Sequence, residues 1–217
     1  MMRGTQLMAL THEATELAHE LSAVGADAVR RGLVLASGGN LSARLDADRF
    51  LVTGSGTWLD RLTPEDFTVM RHDGTVEAGC PRPSSEWKLH QRAYAARPDI
   101  ATVIHLHPQH AVLLATLGIE IRLLTLDHAF YVRSLGLTPF YPNGSDELAD
   151  TAAAELAMHD CVVMRHHGCT VVGDTLEMTY RRALNLEDAA KATLLAQQLG
   201  DTETRFPAEH LPTLHHA

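Results

Sequence analysis

The run Ala101–His107 alternates strongly in polarity and stops at Pro108, which marks it as a β-strand. Successive side chains on a strand point to opposite faces, so His105 and His107 share one face while Ile104 and Leu106 share the other. Two imidazoles spaced i, i+2 can chelate a single metal ion, although either one alone could equally face water or a polar partner. A third ligand must come from elsewhere. The pair His166-His167, followed by Gly168, sits in a turn between two further strands. Three neutral imidazoles leave the open position that a catalytic zinc needs. Adjacent residues do not easily face one ion, so His166 and His167 compete for the third place. The chain holds 14 histidines in 217 residues, an excess that fits a metal centre.

The remaining sequence supplies an α/β frame around that strand. Leu7, Leu10, Ala14, Leu17, Leu21, Val24 and Ala28 recur three or four apart, which predicts an amphipathic helix over 5–31, stopped by Gly32. Strand-like pieces follow at 41–45, 50–53, 67–71 and 75–77, the last two joined by Asp73-Gly74 as a tight hairpin. A helix opens at Ser84-Ser85-Glu86, with serine as N-cap, and ends before Pro98. Residues 108–117 read as helix and 121–140 as a poorly defined strand region. Residues 145–159 read as helix, and 161–165 and 169–172 as strands. Asp174 and Glu177 have capping-box spacing and open a long helix to about Leu199. The tail from about residue 200, with Pro207 and Pro212, is expected to be loosely attached. No repeat or linker interrupts the chain, so 1–217 is read as a single domain.

Composition narrows the function. The balance of 18 basic and 27 acidic residues, a net charge of −9, argues against a binder of the nucleic-acid backbone but leaves anionic small substrates open. Apolar residues at 45% are enough for a core without disulfide staples at this length. Cys80, Cys161 and Cys169 are odd in number and lack C-x-x-C spacing, which fits a reducing compartment. No apolar run approaches the roughly 18 residues that span a bilayer. The N-terminal stretch carries acidic and histidine residues in place of a signal peptide's apolar run. A soluble cytoplasmic protein is expected.

Three short segments point to an anion. Ser37-Gly38-Gly39-Asn40 and Thr53-Gly54-Ser55-Gly56 follow apolar stretches, and glycine lets a backbone N–H approach an oxyanion closely. Neither matches a P-loop or a dinucleotide fingerprint. Ser84 and Ser85 add two hydroxyls at a helix start, where free N–H groups attract anions. Together they can form a phosphate pocket that needs few lysines or arginines. Glu86, at the same helix end, can reach a metal or a substrate proton. His90 and His110 read as surface or core-edge histidines.

In this order and spacing, GGNLS (38–42), TGSG (53–56), PSSEWKLH (83–90), HLHP (105–108) and HHG (166–168) resemble the class II, zinc-dependent aldolase/adducin family from about Gly32 to Ala190. The resemblance implies a three-layer α/β/α domain with a central, mainly antiparallel sheet. It implies a homotetramer with active sites at subunit interfaces. Carried over, it puts one Zn²⁺ per subunit on His105, His107 and His167, makes Glu86 the acid/base, and gives the substrate phosphate to Gly39, Asn40, Ser55, Gly56, Ser84 and Ser85. The implied reaction cleaves a ketose 1-phosphate such as L-fuculose 1-phosphate to dihydroxyacetone phosphate and an aldehyde through a metal-stabilised enediolate. Family dehydratases of methylthioribulose phosphate and decarboxylases of keto-acid phosphates are the alternatives, followed by pentulose-phosphate 4-epimerases. Phe130 stands where the epimerases carry aspartate. An adducin-head-like interaction module is the non-enzyme alternative. A family tyrosine falls here on Leu126 and none follows Tyr180, which leaves Asp127 and His128 as candidates for a second acid/base.

Overall fold

The hydroxyl of Thr11 accepts from the Ala14 N–H at 3.3 Å and starts the first helix, α1 (His12–Arg30). The computed structural model describes residues 8–213. In it α1 begins later than the apolar spacing predicts, because Met8 is drawn into a parallel bridge with Ala78. Leu7 lies outside the described residues. Four strands follow: β1 (Asn40–Arg44), β2 (Arg49–Thr53), β3 (Phe67–Arg71) and β4 (Val76–Gly79). The β3–β4 hairpin turns at Gly74, whose φ of 91° suits glycine. Next come α2 (Trp87–Ala96), β5 (Thr102–Leu106) and α3 (Gln109–Thr116). The chain closes with β6 (Leu135–Thr138), α4 (Asp146–Leu156), β7 (Cys161–Met164), β8 (Gly168–Gly173) and α5 (Leu176–Gln198).

The strands form one sheet in the order β4-β3-β2-β1-β5-β8-β7-β6, antiparallel except for the β6–β7 pair. Period-two alternation splits the side chains between two layers. Leu41, Leu51, Ile104, Leu106, Val163 and Val171 pack with α1, α3 and α5. Phe50, Val52, Met70, Val103, Val162 and Val172 pack on the other face with residues of α2 and α4. The result is the expected α/β/α domain with a mainly antiparallel sheet. The histidine strand β5 lies inside it, between β1 and β8.

Local readings of the sequence changed at four places. Residues 121–140 hold one strand, not a strand region: 128–132 is a π-helical turn, and Arg122 and His128 are tied to Thr193 and Asp188 of α5. Contacts with a helix replace ladder pairing there. The long helix α5 is capped by Thr175, whose hydroxyl accepts from Met178 N–H at 3.1 Å, not by a box through Asp174. Helix α2 begins after Glu86, which offers no side-chain cap. Ser84 sits two residues earlier, its hydroxyl accepting from Glu86 N–H at 3.2 Å while its own N–H, bound to Thr53 O at 2.9 Å, holds it against the 53–56 loop. The segment after residue 200, expected to be loose, is held at 201–206. Buried Arg122 donates to the backbone carbonyls of Asp201 and Thr204, and Phe206 N–H donates to Leu123 O.

Helix α3 follows the histidine strand directly, and its N-cap, Pro108, offers no side-chain cap. Glu187 of α5 supplies one. Its carboxylate accepts from the backbone N–H of His110 at 3.2 Å and of Ala111 at 3.0 Å, and lies 2.6 Å from His110 Nδ1. His110 is therefore a partner of a buried carboxylate and not an idle surface residue. Glu187→Ala strands these donors and is expected to cost about 1–3 kcal/mol. A lower urea midpoint at unchanged slope checks it; an unchanged midpoint would show that water replaces the cap.

Candidate functional site

Four residues from three elements meet at one end of the β5 strand. His105 and His107 come from the strand and its end, His167 from the turn between β7 and β8, and Glu86 from the residue before α2. One ligand atom from each lies within 4.8 Å of the others. His105 Nε2 is 3.0 Å from His107 Nε2 and 3.3 Å from Glu86 Oε2, and His167 Nε2 is 3.1 Å from Glu86 Oε1. His105 Nδ1 points instead toward Thr170 Oγ1, its neighbour across the β5–β8 pair, at 3.3 Å. That partner leaves Nε2 free for an ion.

Backbone conformation decides between the two turn histidines. His166 adopts a φ of 60°, so the neighbours diverge. His167 enters the cluster, and His166 is exposed at the mouth near Phe140. Gly168 makes room for the ligands. A Cβ there would sit 2.5 Å from Leu106 O, 2.6 Å from His107 Cδ2 and 2.9 Å from His105 Cε1. Gly39, at φ 75°, is pressed against His105 O in the same way.

Burial sets the protonation of these groups. It pushes the His105 imidazole down to about 3, against the pull of the Glu86 charge, and lowers His107 as well. Both are neutral imidazoles at neutral pH, the form that ligates. Burial would raise the Glu86 carboxyl, but His105, His167 and the Asn40 amide outweigh it and hold it well below the usual carboxylate range. The cluster thus offers two neutral imidazoles, His105 and His107, the His167 ring and one carboxylate. Glu86 Oε1 and His167 Nδ1 are buried without a hydrogen-bond partner. A buried carboxylate in that setting calls for a cation, and the donor set fits a divalent one.

The cluster opens into a pocket of about 450 Å³. Gly39, Asn40, Ser55, Gly56, Ser84 and Ser85 all line it, together with Glu86, His107 and His167. The three segments read as anion sites therefore converge on the ligand cluster. Among the described residues, no lysine or arginine lines the pocket. A phosphate here would rest on hydroxyls, backbone dipoles and the cation. Gly54 bridges to Pro83, and Ser55 N–H donates to Arg82 O at 2.9 Å, which ties the 53–56 loop to the segment before α2.

A further wall, beside His166, is formed by Phe140, Pro142 and Asn143, which were not read from the sequence. It belongs to an irregular connection, whose fold no periodicity reports. Asp127 and His128 are not among the pocket's lining residues: His128 is fully buried and its Nε2 lies 3.0 Å from Asp188 Oδ2. His90, read as an edge residue, is also fully buried, behind the site. A separate, mainly apolar cavity of about 370 Å³ between α3, β6 and the 205–211 segment does not include the cluster.

A family model described as the class II aldolase and adducin N-terminal domain matches residues 19–194. An L-fuculose phosphate aldolase of Methanocaldococcus jannaschii is 34% identical over 165 residues, covering 76% of this chain and 88% of the relative. A 3-oxo-tetronate 4-phosphate decarboxylase of Haemophilus influenzae is 30% identical over 192 residues, covering 84% and 91%. A solved L-fuculose 1-phosphate aldolase superposes with a TM-score of 0.84 at 26% identity, covering 97% of each chain.

Proposed function

Because the chain belongs to the class II aldolase and adducin family, whose aldolases and decarboxylases are metal-dependent lyases, we propose that it is a zinc-dependent aldolase of ketose 1-phosphates. The products are dihydroxyacetone phosphate and an aldehyde, with L-fuculose 1-phosphate as the model substrate. The observation that carries the proposal is the convergence of His105, His107, His167 and Glu86 on one pocket with the glycine and serine loops.

His105, His107 and His167 would hold the ion. A bound divalent cation supplies Lewis-acid stabilisation of the charge that develops on the ketose carbonyl oxygen. Gly39, Asn40, Ser55, Gly56, Ser84 and Ser85 hold the phosphate, which fixes the reacting carbons beside Glu86. Breaking the bond beyond the carbon next to the carbonyl sends its electron pair toward that carbonyl. The hydroxyl on the departing carbon gives up its proton as that carbon becomes an aldehyde. Glu86, ionised at rest, takes up a proton and passes one to the carbon that remains, and in the reverse direction removes it. The ionised state of Glu86 and its place beside the imidazoles support that assignment. The 30% identity to a decarboxylase supports a second reading. Loss of CO₂ also leaves an electron pair beside a carbonyl, and the same residues would serve it. A homotetramer with interfacial sites and a cytoplasmic location complete the proposal. Exposed Phe140, which lines the pocket, supports a covering neighbour, and three free cysteines support a reducing compartment.

The test is deuterium exchange from D₂O into dihydroxyacetone phosphate, followed by NMR with zinc-loaded and chelator-treated protein. Metal-dependent exchange is expected. A metal-loaded protein that exchanges nothing would reject the aldolase and favour the decarboxylase.

A further inference from the structure

Strand β1 and the start of α2 mate through two periodicities. On β1, Asn40 and Ser42 are two apart and share a face. From the N-cap of α2 inward, Glu86, His90 and Tyr94 are four apart and share another. Two strand residues advance ~6.8 Å and four helical residues ~6 Å, so the two rows interleave. Asn40 Nδ2 donates to Glu86 Oε2 at 2.9 Å, and Asn40 Oδ1 meets His90 Nε2. His90 Nδ1 lies 2.6 Å from Ser42 Oγ, which lies 2.8 Å from the Tyr94 hydroxyl. All five residues are buried.

The direction of every hydrogen bond in this row follows from its two ends. A carboxylate only accepts, so the Asn40 amide must turn its NH₂ to Glu86 and its oxygen to His90. His90 must then carry its proton on Nε2, which leaves Nδ1 to accept from Ser42. The serine oxygen in turn accepts from Tyr94. Reversing the Asn40 amide would set its oxygen against the carboxylate.

We propose that His90, backed by Ser42 and Tyr94, is a positioning residue that locks the Asn40 amide in one orientation and thereby aims the Glu86 carboxylate at the three histidines. His90 touches neither substrate nor metal. The inference rests on the metal-dependent reading of the site, and its test therefore begins with metal binding.

Cobalt(II) affinity and the cobalt visible spectrum are measured by chelator competition in the wild type, His90→Leu and His90→Gln, alongside thermal melts. Glutamine can donate to Asn40 and accept from Ser42; leucine can do neither. The expected result is a 10–100-fold weaker cobalt affinity and an altered spectrum in His90→Leu, the usual size of an outer-shell effect, with both restored in His90→Gln. Unchanged affinity in folded His90→Leu overturns the proposal. So does an equal loss in both variants, which would mark packing alone. If His90→Leu does not fold, Ser42→Ala is read in the same way: a weaker cobalt affinity in the folded variant supports the proposal and an unchanged one overturns it. A wild type that binds no cobalt would instead refute the metal-dependent lyase assignment itself.

Discussion

His105→Ala is expected to lose the bound metal and nearly all turnover. His105 is fully buried at the centre of the cluster, in reach of both His107 and Glu86. Removing it leaves two imidazoles and a carboxylate around an enlarged hole, with no side chain placed to replace Nε2. Lewis-acid stabilisation is worth several kcal/mol, and each 1.36 kcal/mol is a factor of ten, so a loss of about 10³-fold or more in kcat is expected. Metal content after dialysis, read beside turnover, checks it. A variant that keeps one equivalent of metal and normal turnover would place the ion elsewhere. Retained secondary structure by circular dichroism separates ligand loss from unfolding.

Glu86→Gln is expected to give the opposite pairing of results. Three histidines remain to hold the metal, and a glutamine oxygen still accepts from Asn40 Nδ2. What disappears is the group that takes and returns a proton. General acid–base groups typically contribute about 10²–10⁴-fold, so turnover and deuterium exchange at saturating metal should fall by that factor. The three histidines still bind the ion, at an affinity lowered by about the 10–100-fold expected for His90→Leu. Joint loss of metal and activity would instead make Glu86 chiefly a ligand. Normal exchange in the glutamine variant would remove it from the proton-transfer role.

The histidine strand was legible because alternation along 101–107 is a local signal, and His105 and His107 needed only a period of two to share a face. The glycine- and serine-rich loops that line the pocket were legible for a similar reason, since glycine and serine stand out in short segments. What remained hidden depends on contacts between distant segments. The register that sets Asn40 opposite His105 and Thr170 beside it is a property of pairing, not of any one strand. His90 was misjudged because a polar residue on a helix usually faces water, and only the neighbouring strand reveals that its face is a buried polar one. The choice between His166 and His167 turned on one left-handed residue, which no side-chain pattern encodes. Across 121–140 an apolar run packs on α5, where helix and strand patterns are equally plausible from the sequence.

The two walls of the pocket belong to different kinds of structure. The clustered histidines sit on or beside strands in the middle of the sheet, each strand locked by neighbours on both sides. The wall at Phe140, Pro142 and Asn143 comes from the connection between the edge strand β6 and α4, which no sheet ladder constrains. Over evolutionary time these parts can change at different rates. A lineage can lengthen, shorten or rewrite residues 139–144 and so admit a new substrate while inheriting the electronic machinery intact. Diversity of substrates around a constant chemical step is then the natural history of such a frame.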